Sequence, residues 1–321
     1  MPWFVEYVGA GTDIRSVNKN HVKQIRDKLV GRLSGLPSTT YVFDIPEASG
    51  KDQVSKTTAR NEFGSICKFL RWCASDGYID VAPTGVEGIA KAPASESGKV
   101  RPFEPKEVNL IFSSPVFAGC KNKRQRYLPG PHIMKNEVYW ALLLLLFTGA
   151  RTSDIAALYV EDVQLEHEIP HLRFRMREGN LKESASERDT PLHPELLEFG
   201  FAGFVDQRHK QDPSGLLFGR MKRKQELRET LNKRLNGYRK AIGLDYDKLV
   251  MHSFRRGMID ALANSGCPES IAERFVGHAI STVHGKYGKG LSLEAQLKFL
   301  LEVKLHLTDE TKNILRKPAN A

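Results

Sequence analysis

The chain has 321 residues, enough for two domains or one large one, and 40% hydrophobic with 27% charged residues is ordinary for a soluble globular protein. A net charge of +10 and a pI near 9.3 favour polyanionic partners, nucleic acid first, through neutralisation of phosphates. The longest apolar stretch, Val138 to Phe147, is too short to cross a bilayer, and no basic-then-apolar signal opens the chain, so a cytoplasmic protein with no membrane partner is expected. Cys67, Cys73, Cys120 and Cys267 form no C-x-x-C pair and lie far apart, which argues against a disulfide framework or a zinc site.

From the N-terminus the signals are helical. Val22, Ile25 and Leu29 share one helical face, and Phe63, Ile66, Phe69 and Leu70 share another on a helix from about Lys56 that stops at Asp76-Gly77. The stretch Gly88 to Pro105, centred on Ala92-Pro93-Ala94-Ser95-Glu96-Ser97-Gly98, has the small, polar composition of a solvated linker. Basic residues cluster twice beyond it, at Lys121, Lys123, Arg124 and Arg126, and at Lys222, Arg223, Lys224 and Arg228. Pro105 opens a helix through Phe112, Glu137 to Thr148 is a buried helix, and Asp154 to Leu158 begins the next. Then the period changes. Leu172, Phe174 and Met176 alternate with Arg173, Arg175 and Arg177, a strand with an apolar and a basic face; Glu178-Gly179-Asn180 turns, and Asp189 to Leu192 returns. Helices follow at Gln225 to Ile242, Phe254 to Ser265 and Glu269 to Phe275, and an amphipathic one runs from Ser292 to Leu305.

Five local signals in the second part carry chemistry. In Thr148-Gly149-Ala150-Arg151-Thr152-Ser153-Asp154 an arginine sits at the mouth of a turn with Asp154 placed to reach back to it; a capping Asp beside a solvated Arg has the same sequence. Lys182 lies just past the basic strand, where a lysine is ordinarily a solvated charge. In His252-Ser253-Phe254-Arg255, with Ser253 as N-cap, His252 falls just outside a helix and Arg255 in its first turn, both able to face one anion. Gly277 ends a helix and His278 follows at once. Tyr287, between Lys286 and Gly288-Lys289, has neighbours that favour its phenolate. Two arginines, a lysine, two histidines and a tyrosine without an acidic metal cluster suit metal-free phosphoryl transfer, because guanidiniums hold the extra charge of a phosphorane.

Arg151 in its T-G-A-R setting, His252-x-x-Arg255, Gly277-His278 and Tyr287 nine residues after that histidine together resemble the tyrosine recombinase (phage integrase) signature. Lys182 to Pro194 is similar to the family's K-T-x-x-S-x-R-x-x-P-L-H-P stretch, and Lys56 to Val86 to its helical core-binding domain. The resemblance implies a mainly α fold with a small antiparallel β-sheet in the catalytic domain, arranged as a two-domain DNA clamp. It implies a core-binding domain over 1–95, a linker over 96–104 and a catalytic domain over 105–321. Many members of the family carry a further N-terminal arm-binding domain, for which this sequence begins too late, leaving a truncated chain and a member without that domain as the alternatives. Arg151 and Arg255 would clamp the scissile phosphate and Lys182 protonate the leaving 5′ oxygen. His252 would assist proton transfer, His278 hydrogen-bond the phosphate, and Tyr287 form a 3′-phosphotyrosyl link, with no cofactor, metal or ATP.

The implied partners are double-stranded recombination sites and other copies of the chain, a dimer per site and a tetramer at synapsis. The leucine stripe after Ser292 would dock on a neighbouring protomer, the alternative being that it packs on its own domain. Two positions depart from the pattern: Asp154 stands where Glu is usual, and Glu183 where Thr is common, a carboxylate that would raise the pKa of Lys182. The alternatives are a type IB topoisomerase, which shares these groups, and a catalytically silent DNA-binding regulator. A metal nuclease lacks its acidic cluster.

Overall fold

The computed structural model describes residues 2–31, 53–91, 100–177, 187–219, 224–245, 249–277 and 292–320. The chain divides into two compact units, Met1–Gly98 and Lys99–Ala321. Positions 92–99 of the linker stretch, the turn Glu178-Gly179-Asn180, the basic residues Lys222 and Arg223, and the candidates Lys182, His278 and Tyr287 lie outside the described residues.

The first unit is helical: α1 (Pro2–Val8), α2 (Lys19–Val30) and α3 (Lys56–Ser75). Asn18 caps α2 by accepting from the N–H groups of Asn20 and His21, while the His21 ring accepts from the Asn18 N–H. Val22, Ile25 and Leu29 are thereby aimed into a core shared with Phe63, Ile66 and Leu70 of α3. Ser55 caps α3 through the Thr58 N–H, and the helix stops at Asp76 before Gly77, whose φ of 80° reverses the chain.

The second unit runs α4 (Pro105–Phe112), α5 (Pro115–Ala118), α6 (Glu137–Thr148), α7 (Thr152–Ala156), β1 (Val163–Gln164), β2 (His171–Phe174), β3 (Arg188–Pro191), α8 (Pro194–Glu198), α9 (Phe201–Gln211), α10 (Lys224–Ala241), α11 (His252–Asn264), α12 (Glu269–Val276), α13 (Leu293–Glu302) and α14 (Asp309–Arg316). The protein is thus mostly helical with one small antiparallel sheet, ordered β1-β2-β3. No described helix is long and apolar enough to cross a membrane.

The axis of this unit is α6. It is apolar on every side, every residue from Val138 to Thr148 is buried, and α7, α10 and α11 pack around it. It begins at Asn136, whose side chain accepts from the Val138 N–H, and ends at Gly149 with φ 59°. A Cβ at Gly149 would lie 2.8 Å from the Cβ of Met258 and 3.0 Å from Val276, so only glycine lets α11 and α12 approach the end of α6.

The register of β2 with β3 has a consequence for the site. Leu172 pairs with Thr190 and Phe174 with Arg188, so an arginine is turned to the same buried face as two apolar residues. The opposite face pairs Arg173 with Asp189. The strand expected to run on to Met176 ends at Phe174, and Met176 is half exposed. Arg175 and Arg177 face carboxylates instead: Arg175 meets Asp189 at 2.6 Å, and Arg177 meets Asp162 at 2.5 Å and Glu161 at 2.8 Å. Most of the basic face is therefore internally neutralised.

Helix α11 starts earlier than its sequence suggests. Ser253 is not the N-cap: it lies inside the first turn, fully buried, with its hydroxyl accepting from the Val250 N–H at 3.1 Å. Met251 holds the cap position and His252 is the first helical residue.

Part of the leucine stripe expected to dock on a neighbour packs on its own unit. Leu300 and Val303 join Met258, Leu262, Phe275 and Val276 in one core cluster, while Leu301 stays half exposed. Beyond it, α14 seals the main core with Leu315, and Asn109 of α4 accepts from Thr308 and Thr311 while donating to the His306 carbonyl. Leu300→Ala should therefore cost about 2–5 kcal/mol in urea unfolding, as for other buried leucines. A chain ending at residue 291 should lose its cooperative transition; a truncated protein melting like the full chain would return the stripe to an intermolecular role.

Candidate active site

Three helix ends and one strand meet at the C-terminus of α12. The last carbonyls of any helix lack partners within it, and cations suit that end. Here three consecutive carbonyls are each taken by a different arginine. Arg188 Nε donates to Phe275 O at 3.0 Å, Arg255 Nη1 donates to Val276 O, and Arg151 Nη1 donates to Gly277 O at 2.9 Å. Arg255 Nη1 also reaches Gly149 O at 3.1 Å, tying the end of α6 into the same point. Thr190 adds a long hydroxyl bond to Phe275 O at 3.5 Å.

Gly277 is required twice over. Its φ of 74° is left-handed, and a Cβ there would lie 2.3 Å from Arg188 Nη1. The residues that follow, beginning with His278, are covalently joined to the point where the arginines converge.

One carboxylate serves this group among the described residues. Asp154 Oδ2 lies 3.4 Å from Arg188 Nη2 and 3.9 Å from Arg151 Nη1, and it accepts from the Arg151 backbone N–H at 3.4 Å. The expected reach of Asp154 back to Arg151 is therefore made mainly to its backbone, and the nearer guanidinium is that of Arg188. Among the described residues three guanidiniums face one carboxylate, a net positive charge. Burial, and then the charges of Arg151 and Arg188, push Arg255 down to about 9, with Asp154 opposing. Burial likewise pushes Arg188 down to about 10 against the pull of Asp154. Both remain cationic at neutral pH.

Their exposures differ. Arg255 is completely buried, Arg188 nearly so, and the Arg151 side chain is 38% exposed, so it offers this cluster's most open guanidinium. His252 stands exposed at the start of α11. Partial desolvation, then the charges of Arg255, Arg151 and Arg256, hold its imidazole below the ordinary histidine range, which leaves it neutral and able to accept a proton near pH 7. A partly desolvated cluster of cations with a neutral base beside it is suited to binding a phosphodiester and stabilising added charge on it. Among the described residues no group of three or more His, Cys, Asp or Glu side chains is placed to hold a metal ion.

The structure thus gathers Arg151, His252 and Arg255 of the sequence candidates. Arg188 had no role assigned from sequence, although it stands within the Lys182 to Pro194 stretch. Its signal was the strand register: once Phe174 faces the core, its partner across the ladder does too.

The model of the phage integrase family matches residues 123–289, more than half of the chain, and the chain belongs to that family. That span includes Arg151, Lys182, His252, Arg255, His278 and Tyr287. No curated protein matches the sequence. Among solved structures the chain is similar to the XerH site-specific recombinase in a post-cleavage complex with a palindromic difH substrate, with 14% identity and a TM-score of 0.57 over 96% of this chain and 76% of that one. It is also similar to the Tn1549 transposon integrase in complex with a circular-intermediate DNA, with 17% identity and a TM-score of 0.51 over 90% and 86%. A lambda integrase tetramer bound to a Holliday junction gives 13% identity and 0.50 over 87% and 68%. At such identities the likeness speaks for the fold.

An NMR titration should find His252 neutral at pH 7, with its midpoint below 6.5. Arg151→Ala removes a positive neighbour and should move that midpoint upward. Because the folded pKa is depressed, the stability this histidine contributes is present above its unfolded value and is lost as pH falls through the folded one. A midpoint at or above the ordinary value, unmoved by Arg151→Ala, would contradict the electrostatics described.

Proposed function

We propose that the protein is a site-specific DNA recombinase that cleaves and rejoins strands through a 3′-phosphotyrosyl link at Tyr287. The observation that carries this reading is the locking of Arg151 and Arg255 onto Gly277 and Val276, immediately ahead of His278. Two guanidiniums are thereby pre-set at the root of the segment that holds His278 and, nine residues on, Tyr287. Pre-set donors do not reorganise as charge develops, which is where their catalytic value lies.

In the proposed reaction Arg151 and Arg255 grip the scissile phosphate. The Tyr287 oxygen attacks phosphorus, the P–O5′ bond breaks, and Lys182 gives the leaving oxygen its proton. Neutral His252 takes part in proton transfer, and His278 donates to a phosphate oxygen. The phosphotyrosyl bond keeps the energy of the broken one, so a 5′-hydroxyl can reseal the strand without ATP, and no metal is needed. The first unit corresponds to a core-binding domain that adds DNA affinity to that of the catalytic unit. Recombination sites and further copies of the chain are the proposed partners, as XerH and the lambda integrase were captured on their DNA substrates.

On a substrate nicked near the cleavage point, the protein should form a denaturation-stable covalent adduct in EDTA. Tyr287→Phe should abolish it while leaving DNA binding within a small factor. Arg151→Ala and Arg255→Ala should each lose about 3 kcal/mol of transition-state stabilisation, measured as single-turnover adduct formation. An adduct that survives Tyr287→Phe, or one that requires magnesium, would reject the assignment. Relaxation of supercoils without exchange between two sites would favour a topoisomerase.

A further inference from the structure

Arg188 is nearly buried, and it lies against both groups that hold Arg151, the Gly277 terminus and Asp154. Its Nε takes Phe275 O at 3.0 Å, its Nη2 lies 3.4 Å from the shared oxygen of Asp154, and its guanidinium lies 3.9 Å over the Phe174 ring. Gly277, whose carbonyl receives Arg151, sits directly against it. Its side chain is 2% exposed.

The shared carboxylate is the informative feature. Asp154 Oδ2 is 3.4 Å from Arg188 and 3.9 Å from Arg151, so two cations compete for one anion. A carboxylate free of Arg188 would close on Arg151 as a full ion pair and reduce the charge available to a phosphate. A Phe275 carbonyl free of Arg188 would let the end of α12, and with it Gly277 and the residues that follow, shift. An arginine is suited to both tasks because its planar fork reaches two acceptors in fixed directions, whereas a lysine ammonium is a single point.

We propose that Arg188 is a positioning residue for DNA cleavage: it withholds Asp154 from Arg151 and fixes the α12 terminus, so that Arg151 stays open toward the phosphate. This rests on the assignment of Arg151 to the scissile phosphate. A buried ion pair that merely stabilises the fold would make the same contacts, and the two differ in what they do to folded protein.

The test compares the full-length parent with Arg188→Met and Arg188→Lys. Each is measured for melting temperature, DNA affinity, and single-turnover adduct formation at saturating nicked DNA, well below its own melting midpoint. The expected result is affinity within about threefold of the parent but adduct formation slowed about 100-fold in both, the size of a misplacement of about 1 Å at a reacting centre. Adding Asp154→Asn to Arg188→Met should recover part of that rate, because the carboxylate that captures Arg151 is then gone. A rate equal to the parent's in either folded variant, or a loss that follows the folded fraction, would overturn the proposal. Should Arg188→Met not fold, Arg188→Lys, which keeps the charge and most of the length, decides by the same criteria. A parent that forms no adduct would instead refute the recombinase reading, and the two failures are thereby told apart.

Discussion

Three neighbouring carbonyls at the end of α12, each held by a different arginine, are the interaction on which the site depends. A helix C-terminus buried without partners would be costly, and one held by cations is favourable. The three arginines come from β3, α11 and the turn before α7, so satisfying one helix end also fixes the mutual placement of the others. Structural and chemical demands coincide here, because the groups that close the helix also concentrate positive charge.

Such concentration is unfavourable in the absence of an anion. Arg255 is held below its ordinary pKa first by burial and then by the charges of its fellow arginines, with Asp154 opposing them. The fold tolerates this because backbone oxygens accept from each guanidinium, replacing water with fixed dipoles. A bound anion would relieve the remaining repulsion.

Much of the architecture was legible because helical periodicity is a local property. Val22, Ile25 and Leu29 on α2 and the unbroken apolar run of α6 are visible in any short window, and both are buried as that pattern implies. The limits were non-local. Ser253 has the chemistry of an N-cap, but its hydroxyl accepts from Val250, one turn back, and the helix begins at His252. The stripe of α13 shows an apolar face without showing what covers it; Leu300 of that face is covered by the α11–α12 core of the same unit. Arg188 fills the arginine position of the Lys182 to Pro194 pattern, but nothing within a few residues of it says that the ladder pairs it with Phe174. Arg151, His252 and Arg255 were legible because spacing along the chain sets their chemistry, whereas the exchange of Asp154 from Arg151 to Arg188 depends on distances no spacing encodes.

The wholly apolar α6 also bears on how the chain is made. During synthesis from the N-terminus, residues 137–148 emerge before α11, which packs on them, and before Leu315, whose carbonyl receives the Tyr139 hydroxyl. For more than a hundred residues of elongation this helix lacks its final cover, at a stage when exposed apolar segments invite aggregation. Closure of the second unit therefore awaits Leu315 and the rest of α14. Until then the apolar helix stays open to aggregation, so a lesion in α14 would act first on the yield of folded protein.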